Sequence, residues 1–220
     1  MQRGVTKADD GVSRCPWGVA PAEYRAYHDR EWGRPVTDEV RIFEKLCLEG
    51  FQSGLSWLTI LRKREAFRRA FAGFDIPTVA RFGRRDVERL LADAGIVRNR
   101  GKIEAAIGNA RAVRELQADG DSLAGLVWRY EPASGPAPRT LDDIVASSPE
   151  SSALSKELRR RGLRFVGPTT VYASMQSLGL VNDHLRGCHA RRPIEEARRA
   201  LVRPRSVRRT PSDRASRDTR

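Results

Sequence analysis

Four residues in two widely separated pairs have the chemistry to hold one metal ion. Cys15 lies in Arg14-Cys15-Pro16-Trp17-Gly18, and His28 in Tyr27-His28-Asp29-Arg30-Glu31-Trp32-Gly33. Near the other end, His184 and Cys188 form an i, i+4 pair in His184-Leu185-Arg186-Gly187-Cys188. Two thiolates and two imidazoles complete a tetrahedral shell for one zinc ion with no position left for water, so the implied metal is structural. It would tie the N-terminal segment to the C-terminal end of one folded unit. Spacing alone leaves alternatives open. His189 follows Cys188 directly and could compete as ligand, and each His or Cys could be a buried filler. A zinc deaminase is excluded, because H-x-E and P-C-x-x-C are both absent.

A second group of residues surrounds a carboxylate. Glu49 lies three positions after Leu46 and seven after Ile42, on the apolar stripe of its helix. A carboxylate there is paired, hydrogen-bonded or functional; the plainer reading is a Glu at the stripe margin facing solvent or an Arg. Trp17, Tyr24, Tyr27 and Trp32 interleave with the first half-site, and Trp57 follows Glu49 in Gly54-Leu55-Ser56-Trp57. Aromatic faces stack on bases for about 1–3 kcal/mol each and attract cations through the ring quadrupole. Some of these rings, and Trp128, are expected simply to fill the core.

The elements that position these residues read as helical almost throughout. Ile42, Phe43, Leu46 and Cys47 mark one face between Thr37 and Gly50, with Thr37 or Asp38 as cap. Further helices are expected at about Leu55–Phe71, around Val87–Leu91, at Lys102–Leu116, Leu123–Tyr130, Ser151–Arg160 and Pro168–Leu178. Most of Pro132–Pro149 reads as an exposed loop, and no alternating strand stands out. The fold class is all-α. Between the last two helices, Gly162 suits a left-handed cap and Pro168 a first helical turn. The N–H groups of such a turn can seat a phosphate, although any helical protein contains ordinary turns of this kind.

The net charge of +13 is concentrated at the C-terminus, where residues 191–220 hold eleven Arg against four acids. Such a balance favours a polyanionic partner. The expected organisation is a flexible extension over 1–13, one domain over 14–190 and a disordered Arg-rich tail over 191–220. Three cysteines argue against a disulfide framework and for a reducing cytoplasm, with Cys47 as packing. No secretory signal or membrane span is expected.

Together these segments carry a resemblance. Cys15-x-Trp17, Tyr27-His28-Asp29-x-Glu31-Trp32-Gly33, Leu48-Glu49-Gly50, Gly54-Leu55-Ser56-Trp57 and Asn182-Asp183-His184-x-x-x-Cys188 occur in order. So do Ala94-Gly95-Ile96-Val97-Arg98-x-Arg100-Gly101-Lys102-Ile103 and Phe165-Val166-Gly167-Pro168-Thr169-Thr170. Over about residues 14–190 the chain resembles the type I 3-methyladenine DNA glycosylases.

The resemblance implies a helix-hairpin-helix DNA glycosylase fold whose zinc ligands are Cys15, His28, His184 and Cys188. Such an enzyme flips a damaged adenine out of double-stranded alkylated DNA, recognising it through Glu49 with Trp17, Tyr24, Tyr27 and Trp57 as pocket aromatics. The hairpin (Gly162, Val166, Gly167 and Thr169) would hold the DNA backbone. A monomer without organic cofactor is expected, associated with the nucleoid when bound to DNA. The span Gly162–Gly187 contains no lysine, which speaks against a Schiff-base lyase step. Asp183 has two readings, a catalytic carboxylate after the hairpin or a residue orienting the metal site. The alternatives are a non-catalytic DNA-binding protein on the same zinc-stapled scaffold and a glycosylase of broader lesion range.

Overall fold

The computed structural model describes residues 4–205. Its first regular element is a small antiparallel hairpin, β1 (Thr6–Lys7) and β2 (Ser13–Arg14), with Thr6 opposite Arg14. Everything else regular is helical: α1 (Ala22–Arg30), α2 (Glu39–Gln52), α3 (Trp57–Ala70), α4 (Ile76–Ala80), α5 (Arg84–Ala92), α6 (Arg100–Ala118), α7 (Leu123–Trp128), α8 (Pro149–Arg160), α9 (Pro168–Ser177) and α10 (Arg191–Ala200), with three short 3-10 turns. The hairpin departs from the all-helical expectation, and it gives structure to part of the segment expected to be flexible.

The helix starts follow local side-chain chemistry. Asp38, Ser56, Asn99 and Ser148 each accept a backbone N–H three residues on, capping α2, α3, α6 and α8. α2 carries its stripe of Ile42, Phe43, Leu46, Cys47 and Phe51 into the main core. There Phe51, Phe67, Phe71 and Phe74 pack edge and face against one another. Trp128 fills the same core and donates its indole N–H to Val36 O at 2.8 Å. The C-terminus of α2 is closed by Lys102, whose ammonium donates to Phe51 O and Ser53 O at 2.8 and 2.6 Å. This gives the Gly101-Lys102-Ile103 motif a physical role.

α8 ends in the left-handed cap expected at Gly162, which has φ 88°. Gly162 N–H donates to Arg159 O and Leu163 N–H to Leu158 O, the Schellman pattern. Pro168 then occupies the first turn of α9. The connection is clamped from two sides. Asn109 of α6 pairs with both backbone groups of Arg164, at 3.0 and 2.8 Å, and Ser155 donates to Val166 O at 2.6 Å.

The boundary expected at 191 needs correction. α10 packs its fully buried Ile194 into a second, smaller core with Cys15, Leu185, Cys188 and Ala190. Arg198 donates to Leu180 O at 2.8 Å and pairs with Glu131 at 3.2 Å. Arg-rich composition concealed an amphipathic helix. The rest of the expected tail, residues 206–220, lies outside the described residues. The Pro132–Pro149 segment is also more than a loop: Leu141 and Ile144 pack on the smaller core, and Pro149 already belongs to α8. Among the described residues no helix is long and apolar enough to cross a membrane.

Candidate active site and metal centre

Cys15, just after β2, His28 on α1, and His184 and Cys188 in the segment after α9 converge on one buried point, with their ligand atoms all within 4.8 Å of one another. Cys188 Sγ lies 3.5 Å from both His28 Nε2 and His184 Nδ1, and Cys15 Sγ lies 3.8 Å from His184 Nδ1. A tetrahedral zinc with ordinary bond lengths separates its S and N ligands by about 3.6 Å, so the donor set fits such an ion in chemistry and in spacing. The two thiols influence each other. The hydrogen bond from Cys15 and, against burial, those from the imidazoles hold the Cys188 thiol well below its usual range, whereas Cys188 and burial push Cys15 upward. A cation is the natural counterpart for two buried sulfurs and two imidazoles this close together.

The outer nitrogens of both imidazoles are also engaged, which orients the rings. His184 Nε2 faces Trp32 O at 3.0 Å, and His28 Nδ1 faces Asp29 Oδ1 at 2.8 Å. Burial works against the charge on Asp29, but Arg14, His28 and His189 hold its carboxyl well below the usual range. His189, the competing ligand in the sequence, is 38% exposed and bonds Asp29 at 2.9 Å, outside the four-residue cluster. Gly18 is required here, because a Cβ at that position would come within 2.4 Å of the His28 ring.

Beside this cluster opens a cleft of about 380 Å³. It is lined by Trp17, Tyr24, Tyr27, Trp32, Glu49 and Trp57, closed by Leu141, Ile144, Ala173 and Gln176. All four residues assigned to a base pocket thus meet the assigned carboxylate in one cavity. Trp17 joins the cleft to the metal cluster, standing edge-on to Trp32 with centroids 4.9 Å apart and to His28 at 5.1 Å. Tyr24 accepts the Leu58 N–H at 3.0 Å, which fixes the start of α3 and with it Trp57.

Glu49 is 5% exposed. Burial raises its carboxyl, opposed by Lys45, whose Nζ lies 3.6 Å from Oε1. Burial lowers Lys45 in turn to about 8, with Glu49 opposing. The Lys45 ammonium also donates to the Tyr27 hydroxyl at 2.6 Å and lies 3.9 Å from the Trp57 ring centroid.

Of the backbone-contact candidates, Gly162 and Thr169 are exposed and Gly167 is half-buried. Val166 is 1% exposed with its carbonyl taken by Ser155, so its side chain offers nothing to a partner. Phe165 instead stands out, 40% exposed with φ 56°, its Cβ facing Gly50. Asp183 accepts from Tyr172 Oη and Gln176 Nε2, both at 2.8 Å, and lines a separate cleft with Asn182 and Arg198. Gln176 links it to the aromatic cleft, which that residue lines. Sequence reasoning overlooked Lys45, Asp29, Asn109, Leu141 and Ile144. A signal existed for the first two, since Lys45 stands one helical turn before Glu49 and Asp29 directly follows His28.

The site can be set beside known proteins. The family model described as methyladenine glycosylase matches residues 17–192. The chain is 49% identical over 180 residues to DNA-3-methyladenine glycosylase 1 of Escherichia coli (strain K12), covering 80% of this chain and 96% of that protein. A crystal structure of a 3-methyladenine DNA glycosylase I superposes with TM-score 0.78 at 48% identity, covering 80% of this chain and 98% of the other. The corresponding Staphylococcus aureus enzyme, from a structure describing its recognition of 3-methyladenine, has TM-score 0.76 and 34% identity, with 81% and 96% covered. Every residue lining the aromatic cleft falls within the matched span, and this chain belongs to the methyladenine glycosylase family.

Proposed function

We propose that this protein is a DNA-3-methyladenine glycosylase, which extrudes the alkylated base from duplex DNA and hydrolyses its N-glycosidic bond. The observation that carries the reading is the single cleft in which buried Glu49 faces Trp17, Tyr24, Tyr27 and Trp57. A non-catalytic DNA-binding protein has no use for a buried carboxylate in an aromatic cage. Methylation at N3 makes the adenine cationic and a good leaving group. The enzyme therefore needs chiefly to flip it, at a cost reduced by the damaged pair, and to hold it. The rings stack on the base and Glu49 accepts hydrogen bonds from its edge, favouring the cation over neutral adenine. The bond from the sugar carbon to the base breaks with its electrons going to the base, which leaves neutral. Water oxygen bonds to that carbon and its proton passes to solvent. With no lysine after the hairpin the enzyme is monofunctional. Asp183, held by Tyr172 and Gln176, acts through Gln176 rather than on water.

Cys15, His28, His184 and Cys188 would hold one structural zinc, which supplies a cross-link between the segments that flank the cleft. The α8–α9 connection acts as a helix-hairpin-helix element. Gly162, Gly167, Thr169 and the Val166 N–H seat a strand of double-stranded DNA through its phosphates, without reading sequence. The enzyme works as a monomer, without organic cofactor, in the cytoplasm and on the nucleoid.

The test is chromatography of the free bases released from methylated duplex DNA. Release of 3-methyladenine with little 7-methylguanine supports a narrow cation-selective cleft, and release of both means a looser one. No release by folded, zinc-replete protein refutes the enzyme reading.

A further inference from the structure

The cleft has a rear wall made by Tyr27, and behind that wall lies a second cavity of about 230 Å³ into which Lys45 faces. Lys45 does not line the aromatic cleft, yet its ammonium touches three residues that do. It lies 3.6 Å from Glu49 Oε1, 2.6 Å from the Tyr27 hydroxyl and 3.9 Å from the Trp57 ring centroid. We propose that Lys45 is a positioning residue of the active site, which keeps Glu49 a carboxylate in the empty cleft and fixes the Tyr27 ring from behind. The assignment rests on the glycosylase reading for its purpose, but not for its direct measurement.

The surroundings leave this role to Lys45. From α2 itself, Glu44 faces the lysine but is taken by Arg68 at 2.7 Å. From α1 and its C-terminal cap come Tyr27 and Glu31, and Glu31 is held by Arg64 of α3 at 2.5 and 2.9 Å. The remaining cations of the rear cavity are Arg30, Arg34 and Arg41, and α9 with its C-terminal cap contributes the uncharged Ser177 and Leu178. Among the described residues Lys45 is the one cation that lowers Glu49 against the effect of burial. A buried carboxylate that loses such a partner takes up a proton at higher pH. A protonated Glu49 would meet a cationic base without charge, so the lysine behind the wall sets the pH below which the cleft loses selectivity.

The experiment titrates Glu49 by carboxyl carbon NMR in the full-length, metal-loaded protein, with the resonance assigned by its absence in Glu49→Gln. Lys45→Met removes the charge and the hydrogen bond, Lys45→Gln removes the charge but keeps a donor for Tyr27, and Lys45→Arg keeps the charge. The expected result is an upward shift of the Glu49 titration by about one pH unit or more in the Met and Gln proteins and none in the Arg protein. The acid limb of kcat/KM for 3-methyladenine release should move the same way. Coincident titrations in wild type and Lys45→Gln overturn the proposal, as does an Arg protein that shifts like the Met protein. If the wild type releases no 3-methyladenine, the glycosylase reading fails, while the NMR titration still decides the role of Lys45.

Discussion

Replacing Glu49 by Gln changes the charge of the cleft with almost no change in shape. Glu49 is 5% exposed, so its attraction for a cation in the cleft is weakly screened. At an effective dielectric of about 20, two unit charges about 4 Å apart attract by about 4 kcal/mol. The amide oxygen still accepts a hydrogen bond from the adenine edge and recovers about 1 kcal/mol. Burial already lowers Lys45, and without Glu49 it loses the charge that opposes this, so it adds little repulsion of its own. A net loss of about 3 kcal/mol is about a hundredfold in kcat/KM. The lesion is cationic before the reaction begins, and its charge passes to the sugar as the bond breaks. Much of the loss is therefore binding, common to ground and transition states. The assay is single-turnover release of 3-methyladenine across enzyme concentrations, beside affinity for undamaged duplex. Affinity for undamaged duplex should stay unchanged. A loss below about fivefold, which is about 1 kcal/mol, would refute the electrostatic role of Glu49.

Other perturbations address the scaffold. Purified protein should hold one zinc per chain by elemental analysis, and Cys188→Ser should release it. At a free metal concentration about a hundred times Kd, metal stabilises the fold by about 3 kcal/mol, so thermal melting of the variant should no longer respond to added zinc. Asn109→Ala removes two partly buried hydrogen bonds to Arg164, each worth about 1 kcal/mol. Urea unfolding should show about 2 kcal/mol lost, and affinity for undamaged duplex should fall through the loosened α8–α9 connection. Glu157 is held at about 2 by Arg160, against burial and with Arg161 assisting. Because its folded value is depressed from 4.5, this contribution to stability is complete above about pH 4.5 and fades as pH falls towards 2. Glu157→Gln should flatten the dependence of the unfolding midpoint on pH in that window, and an unaltered slope would remove the pair from the acid response.

The sequence was most legible where one periodicity had one cause. α2 is a regular apolar stripe packed on a core, and its cap and extent follow from Asp38 and the spacing of Ile42, Phe43, Leu46 and Cys47. The carboxylate interrupting that stripe opens onto the aromatic cleft. α1 was not legible as a helix, because Tyr24, Tyr27 and His28 face a cleft and a metal cluster rather than a uniform core. α10 was hidden by its arginines, of which Arg198 is buried against Leu180 O and Glu131. Hydrophobic patterning cannot count a guanidinium as a core residue. Leu141 and Ile144 looked like incidental apolar residues among prolines and glycines, since what they cover comes from distant parts of the chain. Lys45 shows the same limit: its partners Tyr27 and Trp57 come from other helices.

The two hydrophobic cores give the cleft an unusual foundation. Trp17 and Leu141 rest on the smaller core around Cys15, Leu185, Cys188 and Ile194, Trp57 packs on the larger helical one, and Ile144 touches both. The cavity is thus a seam between two cores, one of them assembled only when segments far apart in the sequence have met. A nascent chain can build most of its helices before that meeting and still have no place for a base. Closure of those distant segments and the formation of a place for the base become one event.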